Sequence, residues 1–378
     1  MNMLRFLPYV GALAVLALVA LAISFSSGAS ARYSPSATTP HASSTLSVLP
    51  SFVFPALTFP SLEPRTSAAT VSASRASPSA PLVLAPAENP AAAASSSPAL
   101  PAHTPLISSG AALRKALVNI ICRVPANVGL LSITGSGVMV HPKGIILTNA
   151  HIGQYFLFAD RGISCVVRTG GPAVSAYKAS LLYLSPAWIQ ANSSVLTEAN
   201  PKGTGQYDFA LLAVTGSATA KALPASYPYV PLAAQPPNTG TPVAIASYGA
   251  QFLGPEQIES ALFPTVVFGS VKDIYTFGDD TIDVLALGGS AAAQEGSSGG
   301  GVVEADGELV GIITTSTLQD DTGARSLHAI TASYIRTEYA NETGKTLSAL
   351  LAKSLASAVA DFSLTLPALE AILVAHLP

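Results

Sequence analysis

From Ile107 to about Tyr339 the chain is written as short runs of β-branched and aliphatic residues broken by Gly, Asn, Asp and Pro, which confines this region to an all-β fold. The clearest runs are Gly135 to Val140, Gly144 to Thr148, Phe209 to Val214, Pro242 to Ser247, Pro264 to Val271, Asp283 to Leu287, Gly301 to Ala305 and Glu308 to Thr315. Helical periodicity is confined to Gly110 to Asn119, where Leu113, Ala116 and Leu117 share one face. After Asn341 the pattern changes. Leu347, Leu350, Leu351, Leu355, Ala358, Val359 and Phe362 recur at three- and four-residue steps as far as Pro367, predicting one amphipathic helix packed back on the β region.

Upstream, the chain cannot build a core. From Ser27 to Pro105 it is Ala, Ser, Thr and Pro, with proline at 35, 40, 50, 55, 60, 64, 78, 81, 86, 90, 98, 101 and 105. A segment of this composition is a disordered linker of roughly 50 Å if it behaves as a flexible coil. Ahead of it, Leu7 to Phe25 is almost wholly apolar, with Arg5 before it and Ala29-Ser30-Ala31 after it. That is an export signal. Both a cleaved signal peptide and an uncleaved transmembrane anchor fit, and the length of the run favours the anchor, with the β region outside the cytoplasm. The expected division is 1–26 signal or anchor, 27–106 linker, 107–340 β domain and 341–378 helical extension.

Charged residues are 10% of the 378, and the formal net charge is -3. Without a cluster of lysine or arginine, neither nucleic acid nor a polybasic membrane patch is expected as a partner. No metal or cofactor site is expected either. Cys122 and Cys165 fall in short β-like runs; in an exported chain they are a disulfide or two buried free thiols, and the pattern does not choose.

Three residues carry the chemistry. A serine hydroxyl needs a neighbouring imidazole to take its proton and a carboxylate to hold that imidazole's tautomer and stabilise its cation. His41 and His103 lie in the linker, His376 is nearly terminal and His141 heads a turn, which leaves His151 and His328. His151 follows a β run and the turn-forming Asn149, where a strand ends and a side chain can face a cleft. Asp208 opens an apolar strand, where an unpaired carboxylate is costly, whereas Asp160 and Asp306 suit turns. Ser298 sits in Gly296-Ser297-Ser298-Gly299-Gly300, whose glycines allow a loop tight enough to aim the amides of Gly296 and Ser298 at one oxyanion.

Taken in order, Gly135-Ser136-Gly137-Val138, Leu147-Thr148-Asn149-Ala150-His151, Asp208-Phe209-Ala210-Leu211-Leu212, Gly296-Ser297-Ser298-Gly299-Gly300 and Gly307-Glu308-Leu309-Val310-Gly311-Ile312 resemble trypsin-like serine proteases, especially the HtrA-type bacterial branch. The resemblance implies two packed six-stranded antiparallel β-barrels of the chymotrypsin kind, with the cleft between them. It implies a serine endopeptidase acting on protein or peptide substrates through an acyl-enzyme, with His151 as base, Asp208 as orienter and Ser298 as nucleophile. It also implies that substrate pairs with Thr314, Thr315 and Ser316, and that Ala292, Ser326 and His328 border the primary specificity pocket. With no aspartate at the pocket base, small or medium uncharged side chains are expected; His328 with Ser316 and Ser326 is the alternative, an acceptor for an acidic side chain.

The chain departs from the pattern at Ser297, where Asp or Asn is usual, and at Gly301, where proline is common. The first leaves open a resting loop that ordering must switch on. No PDZ domain of the kind usual in HtrA-type proteins fits after the β domain. Pro186 to Ile189 and the polar run Ala191 to Gly205 read as a surface insertion. A catalytically silent protease-fold scaffold is the rival reading.

Overall fold

The first strand, Leu117–Arg123 (β1), follows directly on α1, the helix Thr104–Ala116, and six of its seven residues are buried, on both of its faces. The computed structural model describes residues 104–198, 203–278, 281–316 and 325–377. The apolar run Leu7 to Phe25 and the linker as far as His103 lie outside the described residues. The helix expected from Gly110 starts earlier, at Thr104, and ends earlier, at Ala116. Leu106, Leu113 and Ala116 form its buried face, and the β-branched Val118, Ile120 and Ile121 convert the chain to a strand before Asn119.

Five more strands complete the first half: Ile133–His141 (β2), Ile145–Thr148 (β3), Ser164–Thr169 (β4), Val174–Leu184 (β5) and Ala210–Ser217 (β6). They form a closed antiparallel barrel in the order β1-β2-β3-β6-β5-β4. Cys122 and Cys165 are directly opposed in the β1–β4 ladder and joined, S–S 2.03 Å.

The second half holds Pro242–Ser247 (β7), Thr265–Ser270 (β8), Asp273–Tyr275 (β9), Val284–Gly288 (β10), Gly301–Val303 (β11), Leu309–Ser316 (β12) and Leu327–Thr331 (β13). It is the second half of a chymotrypsin-like fold, as expected, with one of its six strands divided in two. The sheet has seven strands, in the order β8-β7-β11-β12-β13-β10-β9. The seventh arises because one extended segment bends and changes partners. Val271 exchanges bonds with Gly240 and Thr241 beside β7, and the next amide, Lys272 N–H, donates to Ala286 O of β10 at 2.8 Å. β8 and β9 are thus consecutive pieces of one strand lying at opposite ends of the sheet, which curls the sheet on itself without a ladder to close it.

A buried arginine ties the halves. Arg168 of β4, 2% exposed, donates to Ile258 O at 2.9 Å and Glu259 O at 2.7 Å at the C-terminal end of Pro255–Ser260, and to Ala173 O at 2.5 Å. These carbonyls replace the water that so buried a guanidinium loses.

The single helix expected after Asn341 is instead three, Leu347–Ala352 (α6), Leu355–Ser363 (α7) and Leu366–Val374 (α8), and a further helix, Ala332–Thr343 (α5), stands where the β pattern was expected to run on to Tyr339; they are numbered after Ala150–Gly153 (α2), Pro186–Asn192 (α3) and Pro255–Ser260 (α4). Gly344, at φ +67°, ends α5 with its N–H on Ala340 O. Thr346 and Ser354 then cap α6 and α7 by accepting from Ala349 N and Ser357 N. Pro367, expected to stop the helix, sits in the first turn of α8, where its missing N–H removes no bond. The helices cover β5, with Phe362 6.1 Å from Tyr183, ring centre to ring centre. α3 belongs to the same packing: Trp188 and Ile189, expected in a surface insertion, are buried.

The disulfide closes a loop with a sequence separation of 43. By chain entropy that constraint contributes about 4 kcal/mol. The double variant Cys122→Ala, Cys165→Ala is expected to unfold at correspondingly lower denaturant with an unchanged final fold, as followed by circular dichroism.

Candidate active site

His151 stands on α2, the single helical turn after β3, and is 4% exposed. Its position is set from both sides. The Asn149 carbonyl accepts from Ile152 N–H and Gly153 N–H at 3.3 and 2.9 Å, closing the turn, and Gln154 Nε2 donates to the His151 carbonyl at 3.0 Å. Asn149 Nδ2 donates to Asp208 O at 2.9 Å, so the residue before α2 also tethers the strand end that carries the carboxylate.

Asp208 is fully buried and makes three side-chain hydrogen bonds. His151 N–H donates to Oδ1 at 3.0 Å, His151 Nδ1 lies 2.8 Å from Oδ2, and Thr314 Oγ1 donates to Oδ2 at 2.8 Å. An ionised carboxylate out of water needs such donors. The arrangement makes Nδ1 the protonated nitrogen and leaves Nε2, on the far edge of the ring, as the basic one.

Ser298 lies in the tight loop between Ala293 and β11. Gly296 and Gly299 have φ of +88° and +81°, a region closed to most side chains. Gly299 has a second constraint: a Cβ there would lie 2.1 Å from Ser136 O. The loop is clasped to the first barrel by Ser136 of β2. Its N–H donates to Ser298 O at 2.8 Å and its Oγ to Gly296 O at 2.8 Å, while that same Oγ accepts from Tyr248 N–H at 2.8 Å. Gly135, next to it, meets both Ile152 and Ser298 O, which brings the turn of His151 and the loop of Ser298 to one place.

Within the loop, Ser297 N–H donates to Gln294 O, Gly299 N–H to Ile313 O and Gly300 N–H to Ser297 O. The amides of Gly296 and Ser298 have no such partner among the described residues. Ser297 itself is 1% exposed and accepts from Ser247 Oγ at 2.9 Å, so a hydroxyl pair fills the position where an acidic residue would need a counter-charge.

The residues expected to bind substrate are distributed differently. Thr314, 1% exposed, turns its side chain to Asp208, which leaves only its backbone for pairing with a ligand. Beyond Gly301↔Ile312, β12 outruns β11, and Thr315 and Ser316 pair on their other side with His328 and Leu327. Ala292 is buried. Ser326 Oγ is 3.1 Å from His328 Nε2, and the His328 ring lies 6.0 Å from Tyr275. Burial pulls the His328 imidazole down to about 4, so it is neutral at neutral pH.

Sequence reasoning did not find Ser136, Thr314 or Ser247 as partners of the site, because their contacts span 160, 106 and 50 residues. Arg325, buried and donating to Ala293 O at 2.7 Å and to the Gln251 side chain, is a further support of the loop without a local signal. Removing one donor from a buried carboxylate costs about 1.5–3 kcal/mol. Thr314→Val, equal in shape, is expected to lower stability by that amount in denaturant unfolding at pH 7.

Residues 135–312, which contain His151, Asp208 and Ser298, match the family model of the trypsin-like peptidase domain. No curated protein matches the sequence. Among solved structures, the chain is similar to the active form of the Rv3671c protease from M. tuberculosis, at 20% identity and TM-score 0.39 over 63% of this chain and 85% of that one. It is also similar to the serine endoprotease from Yersinia pestis, at 23% identity and TM-score 0.39 over 63% of this chain and 68% of that one. On this match, residues 135–312 form a trypsin-like peptidase domain, and the activity it supports is that of a serine endopeptidase.

Proposed function

We propose that His151, Asp208 and Ser298 are the catalytic triad of an exported, membrane-tethered endopeptidase that cleaves after small or medium uncharged residues. The observation that carries the triad is the buried carboxylate of Asp208 on His151 Nδ1, at 2.8 Å. It leaves Nε2 to take the proton of Ser298 Oγ as the oxygen attacks the scissile carbonyl. The tetrahedral oxyanion falls to the amides of Gly296 and Ser298. His151 then gives its proton to the leaving amine, and water, deprotonated by the same imidazole, releases the acyl group from Ser298.

Substrate backbone pairs with the overhanging end of β12 at Thr314 to Ser316, extending the sheet by one strand. The specificity reading rests on the walls: Ala292 and Ser326 bring no charge, and a neutral His328 offers no cation for an acidic side chain. Location outside the cytoplasm, tethered through Leu7 to Phe25, rests on the apolar run and the proline-rich segment after it.

The purified chain is expected to react with an active-site fluorophosphonate, with the mass increment on the peptide carrying Ser298. Labelling is expected to vanish in Ser298→Ala and His151→Ala, and Asp208→Asn to reduce kcat about 10⁴-fold through the wrong imidazole tautomer. An unlabelled wild type, or labelling that survives His151→Ala, contradicts the triad.

A further inference from the structure

Tyr207, the residue before Asp208, is the one non-glycine among the described residues with a positive φ, +58°. Left-handed backbone is unfavourable for a residue with a Cβ and persists where its surroundings hold it. Here the hold comes from far away in the chain: Tyr207 N–H donates to the Tyr334 hydroxyl at 3.0 Å, across 127 residues. Two local bonds complete the turn, Asp208 N–H to Gly205 O at 3.2 Å and Phe209 N–H to Tyr207 O at 2.8 Å.

Tyr334 is itself held in place. It is 5% exposed, packs its ring 5.1 Å from Phe277, and donates its N–H to Thr331 Oγ1 at the N-cap of α5. Thr331 in turn donates its hydroxyl to Ile282 O and its amide to Asp283 O, both at 2.9 Å. Burial pushes the Tyr334 hydroxyl up, so it stays neutral and able to accept.

We propose that Tyr334 is a positioning residue, whose hydroxyl holds the Tyr207 turn and thereby aims the Asp208 carboxylate at His151. The inference rests on the triad reading above. The turn has little room to relax elsewhere: β6 begins at Ala210, two residues after Asp208, and is paired with both β3 and β5. A change at Tyr207 is therefore concentrated at Asp208, whose Cα–Cβ direction follows the preceding peptide. Tyr207 and Tyr334 also line a cavity of about 490 Å³. Water entering there replaces part of the bond when the hydroxyl is removed, so the effect is partial.

The test uses the full chain, with the rate of fluorophosphonate modification at Ser298 and kcat and KM on an alanine peptide anilide. Tyr334→Phe is expected to slow modification about fivefold to tenfold and to lower kcat while KM stays unchanged. In a Tyr207→Gly background the same substitution is expected to slow modification less than about twofold, because glycine adopts the turn unaided. A Tyr334→Phe rate equal to the unsubstituted one, or equal slowing in both backgrounds, overturns the positioning role and leaves the triad standing. An unsubstituted chain that never reacts overturns the triad reading, and this inference with it.

Discussion

A carboxylate that has left water must be surrounded by donors, and in this molecule the fully buried Asp208 draws three donors from two distant stretches of chain. His151 supplies its amide and its ring from the turn after β3, and Thr314 supplies a hydroxyl from β12 in the other half. Placing that oxygen pair requires the end of β6, the turn at α2 and the middle of β12 to meet, so the contact of the two halves and the geometry at His151 are one constraint. The tether from Asn149 to the Asp208 carbonyl serves the same meeting from the backbone side.

The loop of Ser298 is held by a different kind of chemistry. Beside Arg325, two of its anchors are neutral: Ser136 reaches across from β2 with its amide and hydroxyl, and Ser247 bonds Ser297 inside the second sheet. A buried acid at position 297 would need a cation; a hydroxyl needs one neutral partner and has it. The departure at Ser297, which in the sequence suggests a loop awaiting ordering, coincides with a loop whose bonds are already made. With Ser297, Gly299 and Gly300 N–H engaged, those of Gly296 and Ser298 are without a backbone partner among the described residues.

The fold and the central residues were legible for local reasons. Alternating β runs marked the barrel strands, and the T-N-A-H and G-S-S-G-G stretches each place an unusual turn beside a reactive side chain. What was not legible depends on contacts distant in the chain. The run from Pro264 ends at Val271 in the sequence, and the continuation Asp273–Tyr275 is missed because nothing at Val271 and Lys272 announces a change of partner. The apolar steps from Leu347 to Pro367 run unbroken through α6, α7 and the start of α8, so periodicity merged them. Their breaks were nonetheless written in Gly344, Thr346 and Ser354, which are C-cap and N-cap residues. The resemblance places Thr314 beside substrate, but the bond of its hydroxyl to Asp208 has no local signal.

The most direct test of the account is a crystal structure of the chain with a peptide boronic acid or aldehyde. The account predicts a covalent bond to Ser298 Oγ, one tetrahedral oxygen within hydrogen-bonding distance of the amides of Gly296 and Ser298, and His151 Nε2 on the opposite side. An adduct whose oxygen points away from those two amides, or an inhibitor bound without a bond to Ser298, would contradict it.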